Sequence, residues 1–154
     1  SKERLRQHLA TKAVVKLGCP MIYLNQIGAN DEIIFDGASF VLNKEAKMVV
    51  KLPSCIEDRV IWNTGNSQQD NEVPCQTQTT SQEQLFKALT LGVKDYAKKC
   101  GFHSALIGLS GGIDSALVAI IAAAGLGAPN VTAVMMPSPW NSHSQVLHSA
   151  GSVP

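Results

Sequence analysis

The sequence predicts an α/β protein made of two unlike units. Three observations lead to this. Between Ala105 and Met136 a short apolar run, a glycine turn, an apolar helix and a second apolar run follow one another, which is the order of a βαβ unit with a parallel sheet and a right-handed crossover. Upstream of residue 63, a leading helix is followed by several short apolar runs separated by turn residues. Between the two lies a stretch, Asn63 to Gln84, rich in Asn, Gln, Thr and Ser. Loops that long are uncommon inside one compact domain, so the stretch reads as a boundary.

Taken in order, residues 3–17 predict a helix. Leu5, Leu9, Lys12, Ala13, Lys16 and Leu17 follow a helical period, and Gly18 and Pro20 stop it. Residues 21–24 form an apolar run typical of a buried strand, and 26–31 have the polar and glycine content of a loop. Residues 35–42 and 48–52 predict a strand pair joined by a turn at 43–47, and 56–62 a further strand. Past the linker, 83–99 predict an amphipathic helix with Leu85, Leu89, Val93 and Ala97 on one face and Gly101 as its stop. Residues 105–109 are a buried strand, 110–113 a glycine turn and 114–124 a helix. That helix is apolar nearly all round, so it is expected to lie buried against a sheet. Gly125 and Gly127 end it, and 131–136 are a second buried strand that Pro137 closes. The units are therefore 1–63 and 83–154, with 64–82 as linker.

Composition narrows the function classes. The chain has 154 residues, 45% of them hydrophobic and 16% charged, with a net charge of +1. This is a globular composition, with no electrostatic case for nucleic acid or a membrane surface. Aromatic residues are 5%, which gives little for stacking on bases. The longest apolar run, 116–126, is far below the ~20 residues a membrane span needs. The N-terminus has no apolar segment of the signal-peptide kind. The expectation from these features is a cytoplasmic protein. Cys19, Cys55, Cys75 and Cys100 form no C-x-x-C pair and are expected as reduced thiols. Cys19 is expected to pack as a small apolar side chain. No His/Cys grouping has zinc spacing.

The chemistry is concentrated in Gly108, Leu109, Ser110, Gly111, Gly112, Ile113, Asp114 and Ser115. These eight residues link a strand to a helix N-terminus, the position where open α/β sheets bind ligands. Glycines at 111 and 112 let the backbone approach a ligand and adopt positive φ. Converging N–H groups and the positive end of the helix then make an anion site, to which two serine hydroxyls can add donors. Asp114 beside an anion suits holding Mg2+ against a polyphosphate.

A Walker A loop needs lysine after the glycines, and none follows; the G-x-G-x-x-G spacing is also absent. The nucleophile-elbow pattern G-x-S-x-G does match at 108–112. It requires a downstream acid and histidine. His143 and His148 follow, but no Asp or Glu occurs beyond Asp114, so a triad lacks its acid. The plainest alternative is that Ser110 and Asp114 only cap a helix.

Ser110-Gly-Gly-Ile-Asp-Ser115 resembles the S-G-G-x-D-S signature of the N-type ATP pyrophosphatases, a superfamily that includes NAD, GMP and asparagine synthetases. Its extension through Val118, followed by the run Val131 to Pro139, is similar to NAD synthetases. Upstream, the runs Ile22 to Glu32 and Ile34 to Gly37 resemble the end of the nitrilase-like glutaminase domain of the glutamine-dependent form.

The resemblance implies the C-terminal end of a nitrilase-like αββα domain joined to the start of a parallel-sheet, adenine nucleotide alpha hydrolase-like ATP pyrophosphatase domain. It implies that glutamine supplies ammonia, that ATP adenylates deamido-NAD with loss of pyrophosphate, and that ammonia displaces AMP to give NAD. Residues 108–115 would hold ATP phosphates, Asp114 would bind Mg2+, and Met135 with Pro137 would lie toward the adenosine. The glutaminase Glu–Lys–Cys set is expected before the stretch that aligns with Ser1, so no catalytic residue of that reaction is expected here. After Pro139 these enzymes continue into an acidic helix, whereas residues 140–148 carry no acid and 149–154 read as an unstructured tail. The expectation is an incomplete piece of a homo-oligomeric enzyme, inactive by itself. The alternatives are a non-catalytic interaction fragment and another amidoligase of the same superfamily.

Overall fold

The computed structural model describes residues 2–64 and 80–135. The expected linker lies almost wholly outside them, as do Cys75, Pro137, both downstream histidines and the tail. The described residues fall into two compact units, one from residues 2–28, 35–64 and 80–84, the other from 29–34 and 85–135.

In the first unit, α1 (Lys2–Leu17) lies on an antiparallel sheet of β1 (Met21–Tyr23), β4 (Phe40–Leu42) and β5 (Met48–Lys51), in the order β1-β4-β5. The helix ends as expected. Gly18 takes φ 65° and its N–H returns to the Val14 carbonyl at 2.8 Å, an αL cap open to glycine at little cost. The buried face differs from the expected one. Leu5, Leu9 and Leu17 are exposed, and the core forms from Ala10 and Val14 against Phe40 and Leu42. Two small residues one turn apart let the helix approach the sheet closely. Arg6, a turn earlier on the same stripe, makes a two-pronged pair with Asp36 at 2.7 and 2.8 Å and lies over the Tyr23 ring. Tyr23 stacks on Phe40 with centroids 5.0 Å apart.

Three strand expectations need correction. Residues 27–30, expected as loop, form β2 (Ile27–Asn30), paired with β3 (Ile33–Asp36) across Asp31 and Glu32. Polar and glycine content hid a strand that pairing supports. The expected single strand 35–42 is broken at Gly37 and Ala38, which take φ 63° and 51° and turn the chain between β3 and β4. Residues 56–62 form no strand; Ile56, Val60 and Ile61 are exposed. Cys55 at φ 61° turns the chain away after an isolated bridge between Gly37 and Ser54. Cys19, expected to pack, is exposed just beyond the helix cap.

In the second unit, α2 (Ser81–Cys100) begins where Thr80 Oγ1 accepts from the Glu83 N–H. It ends at Gly101, φ 73°, with the Phe102 N–H returning to the Ala97 carbonyl. β6 (Ala105–Leu109), α3 (Ile113–Leu126) and β7 (Val131–Met135) follow, and β6 and β7 pair in parallel from Ala105↔Val131 to Leu109↔Met135. The predicted strand–helix–strand order is therefore present. α3 approaches α2 closely at Gly125, where a Cβ would stand 3.1 Å from the Thr90 carbonyl oxygen.

The expectation of full burial is not met. Ala119, Ile121 and Ala122 are buried, but Ile113, Leu117 and Val118 are exposed, as is Leu106 on β6. Among the described residues the β6–β7 sheet has two strands, so an all-apolar helix finds cover on one side only. No helix of the described residues is long and apolar enough to cross a membrane.

Candidate functional site

β6 delivers the chain to the site and α3 carries it away. Leu109, 3% exposed, anchors the strand end. Ser110 is exposed, Gly111 takes φ 87°, and Gly112 is the N-cap of α3 with φ −86° and ψ 157°. Only Gly111 lies in the left-handed region that an L side chain resists.

Gly112 has no side chain, and no side-chain hydrogen bond caps the helix. The amides of Ile113, Asp114 and Ser115 fall in the first turn, which has no intrahelical acceptor. This argues against the plain capping reading of Ser110 and Asp114. The end of α3 that meets solvent combines exposed donors with the positive end of the helix dipole.

Ser115 sets the shape of the loop. Its Oγ donates to the Gly112 carbonyl at 2.9 Å and accepts from the Ser110 N–H at 3.3 Å. The two serine hydroxyls are 3.3 Å apart, and Ser110 Oγ is within 3.4 Å of the Gly112 N–H. A hydroxyl one turn into the helix thus folds the loop back on itself and places both serines at its mouth. An anion of several oxygens can exchange these long contacts for shorter charge-assisted ones.

Asp114 is exposed in the first turn, and its carboxylate takes no hydrogen bond or ion pair from the described residues. Among those residues no group of three His, Cys, Asp or Glu side chains stands ready for a metal. A lone carboxylate fits Mg2+ nonetheless, because that ion keeps water and is commonly held by one or two carboxylates together with substrate phosphates.

All nine residues expected at the site lie at one end of the parallel pair. Gly108 to Ser115 are contiguous, and Met135 is brought beside them by the sheet register, opposite Leu109 and half exposed. Sequence reasoning missed a second polar cluster in this unit. The Ala29 peptide is bonded by Asp95 and Lys99 of α2, 66 and 70 residues away. The only local signal was the i,i+4 spacing of that acid and base.

Comparison with known proteins shows what the chain is similar to. Residues 85–153 match the NAD synthase family. The chain is 40% identical over 94% of its length to the glutamine-dependent NAD(+) synthetase of Synechocystis sp., and 43% identical over 95% to that of Rhodobacter capsulatus. It covers 26% and 27% of those proteins, so the chain spans about a quarter of the curated relatives it matches. A solved glutamine-dependent NAD+ synthetase from Acinetobacter baumannii, in complex with adenosine diphosphate, superposes with a TM-score of 0.86 at 31% identity. That match covers 97% of this chain and 29% of the other.

Proposed function

We propose that this chain, which is related in sequence and fold to the glutamine-dependent NAD(+) synthetases, is the stretch of such an enzyme that joins its two catalytic halves. In this reading residues 1–63 end a nitrilase-like glutaminase domain, 64–82 link, and 83–154 begin the ATP pyrophosphatase domain. The whole enzyme takes glutamine, ATP and deamido-NAD in the cytoplasm, as a homo-oligomer, and forms NAD through an adenylated intermediate. The carrying observation is the uncapped strand–glycine–helix loop at 109–115. That the similar Acinetobacter baumannii synthetase was solved in complex with ADP supports nucleotide binding by such an enzyme.

The chain's own residues then act as follows. The amides of the first turn of α3 and the Ser110 and Ser115 hydroxyls bind and orient the phosphates. The chemistry that Mg2+ would supply when bound is charge neutralisation of the polyphosphate leaving group. Asp114, an exposed carboxylate in the first turn of α3, would be the residue that holds that ion. These are electrostatic and positioning contributions, which dominate attack at a phosphorus centre. Met135, beside Leu109 in the register, offers an apolar contact on the adenosine side.

A chimera tests this. The Rhodobacter capsulatus relative would carry residues 2–135 of this chain in place of its own matching segment. NAD should form from deamido-NAD, with AMP and pyrophosphate released in equal amounts, and an Asp114→Ala chimera should lose this. A folded chimera that makes no AMP would contradict the reading.

A further inference from the structure

Ala29 lies on β2, whose one strand partner among the described residues is β3. It is 7% exposed, and a buried residue must find partners for both its backbone N–H and its C=O. Both partners come from α2. The Ala29 N–H donates to Asp95 Oδ2 at 2.6 Å, and Lys99 Nζ donates to the Ala29 carbonyl. Lys99 also pairs with Asp95 at 2.9 Å. Spaced i,i+4, the two side chains stand one above the other on the helix and together replace the ladder bonds that a further strand would give.

The seat extends along α2. Gly92 leaves room for Ile34 from the other strand of the pair; a Cβ there would stand 3.0 Å from Ile34 Cδ1. Beside these contacts is a 410 Å3 hollow, lined mainly by Ile34, Val93, Tyr96, Phe102 and Leu126. The opposite side of α2 meets α3 at Gly125, against Thr90, Val93 and Lys94. α3 carries the 110–115 loop at its N-terminus.

We infer that the α2 face bearing Gly92, Asp95 and Lys99 is a receptor for the strand edge at 29–34, and that Asp95 and Lys99 are positioning residues whose grip on Ala29 fixes α2 and, through Gly125, the α3 helix with its loop. Residues 29–34 are covalently continuous with the first unit through Gly28 and Phe35. The grip is therefore the point at which the upstream half of the sequence contributes structure to the loop-bearing half. The inference does not depend on what the loop binds.

Amide exchange and chemical shifts of the whole 15N-labelled chain test it without nucleotide. In Asp95→Ala and in Lys99→Met the Ala29 amide should exchange at least about tenfold faster, as expected for loss of a charge-assisted bond. The Gly111, Gly112 and Ser115 amide signals should move in both. Gln82→Ala, on an exposed part of the same helix, should change neither. Asp95→Asn keeps an oxygen acceptor and should restore part of the Ala29 protection. Far-UV circular dichroism checks that each variant is folded, and Lys99→Met carries the test if Asp95→Ala is not. An Ala29 amide equally protected in the folded Asp95→Ala or Lys99→Met variant would overturn the grip. Released Ala29 with unmoved loop signals would overturn its role in positioning the loop.

Discussion

Substituting alanine separately at Gly111 and Gly112 should divide folding from binding. Gly111 has φ 87°, a conformation that costs an L residue about 1–2 kcal/mol. Gly111→Ala should therefore destabilise the folded chain by about that amount, a factor of roughly 5–30 in the folding equilibrium. Gly112 has φ −86° and ψ 157°, and an added Cβ would meet only Ser110 Oγ at 3.6 Å. Alanine is a poorer N-cap than glycine by about 0.5–1 kcal/mol. The reduced freedom of the unfolded chain returns about 0.4–1 kcal/mol, so stability should change by less than about 0.5 kcal/mol. The same methyl would stand where a phosphate must approach the backbone, and Mg-ATP affinity should fall by about tenfold or more, about 1.4 kcal/mol. Urea denaturation followed by circular dichroism measures the first effect and a Mg-ATP titration followed by NMR the second. If Gly112→Ala bound Mg-ATP like the parent, or Gly111→Ala were equally stable, the reasoning from this loop geometry would be wrong.

Three further outcomes are expected. Gly37→Ala combines φ 63° with a Cβ only 2.7 Å from Ile27 Cγ1, and should cost roughly 2–4 kcal/mol in urea unfolding; a neutral result would show that the turn relaxes. The hydrogen bonds from Arg6 hold the Asp36 carboxyl below its ordinary value of 3.8. The pair's contribution to stability is thus fully present above that value and is lost as pH falls through the lower folded value. Asp36→Asn should flatten the fall of stability as pH drops below that value, and an unchanged slope would show that the pair does not contribute. Asp114→Asn should abolish the gain in ATP affinity given by Mg2+ while leaving metal-free binding unchanged or improved; a retained Mg2+ effect in isothermal titration calorimetry would assign the ion elsewhere.

The phosphate-loop region was legible because its signals are local. A run of five apolar residues, two glycines and an apolar helix fix strand, turn and helix without reference to distant residues. The sheet register then brought Met135 to the same end. The first unit was legible in outline, and its errors share a cause. β2 was hidden by Gly28 and Asn30, whose strand state rests on pairing with β3. The stop at Gly37 and Ala38 requires an alanine at positive φ, which no local preference announces. In α1 the larger leucines outweighed Ala10 and Val14 in the reading, although the smaller residues make the close packing. The Ala29 grip joins residues 66 and 70 positions apart through the backbone N–H and C=O of one residue, and backbone groups carry no sequence signal.

The most direct measurement is a titration of the 15N-labelled chain with Mg-ATP, with Mg2+ alone and inorganic phosphate as controls. The amides of Gly111, Gly112, Asp114 and Ser115 should shift together and saturably with Mg-ATP, with smaller shifts for phosphate and none for Mg2+ alone. If those signals stay fixed at millimolar Mg-ATP while the chain is folded, the loop is not a phosphate site in this chain and the central claim fails.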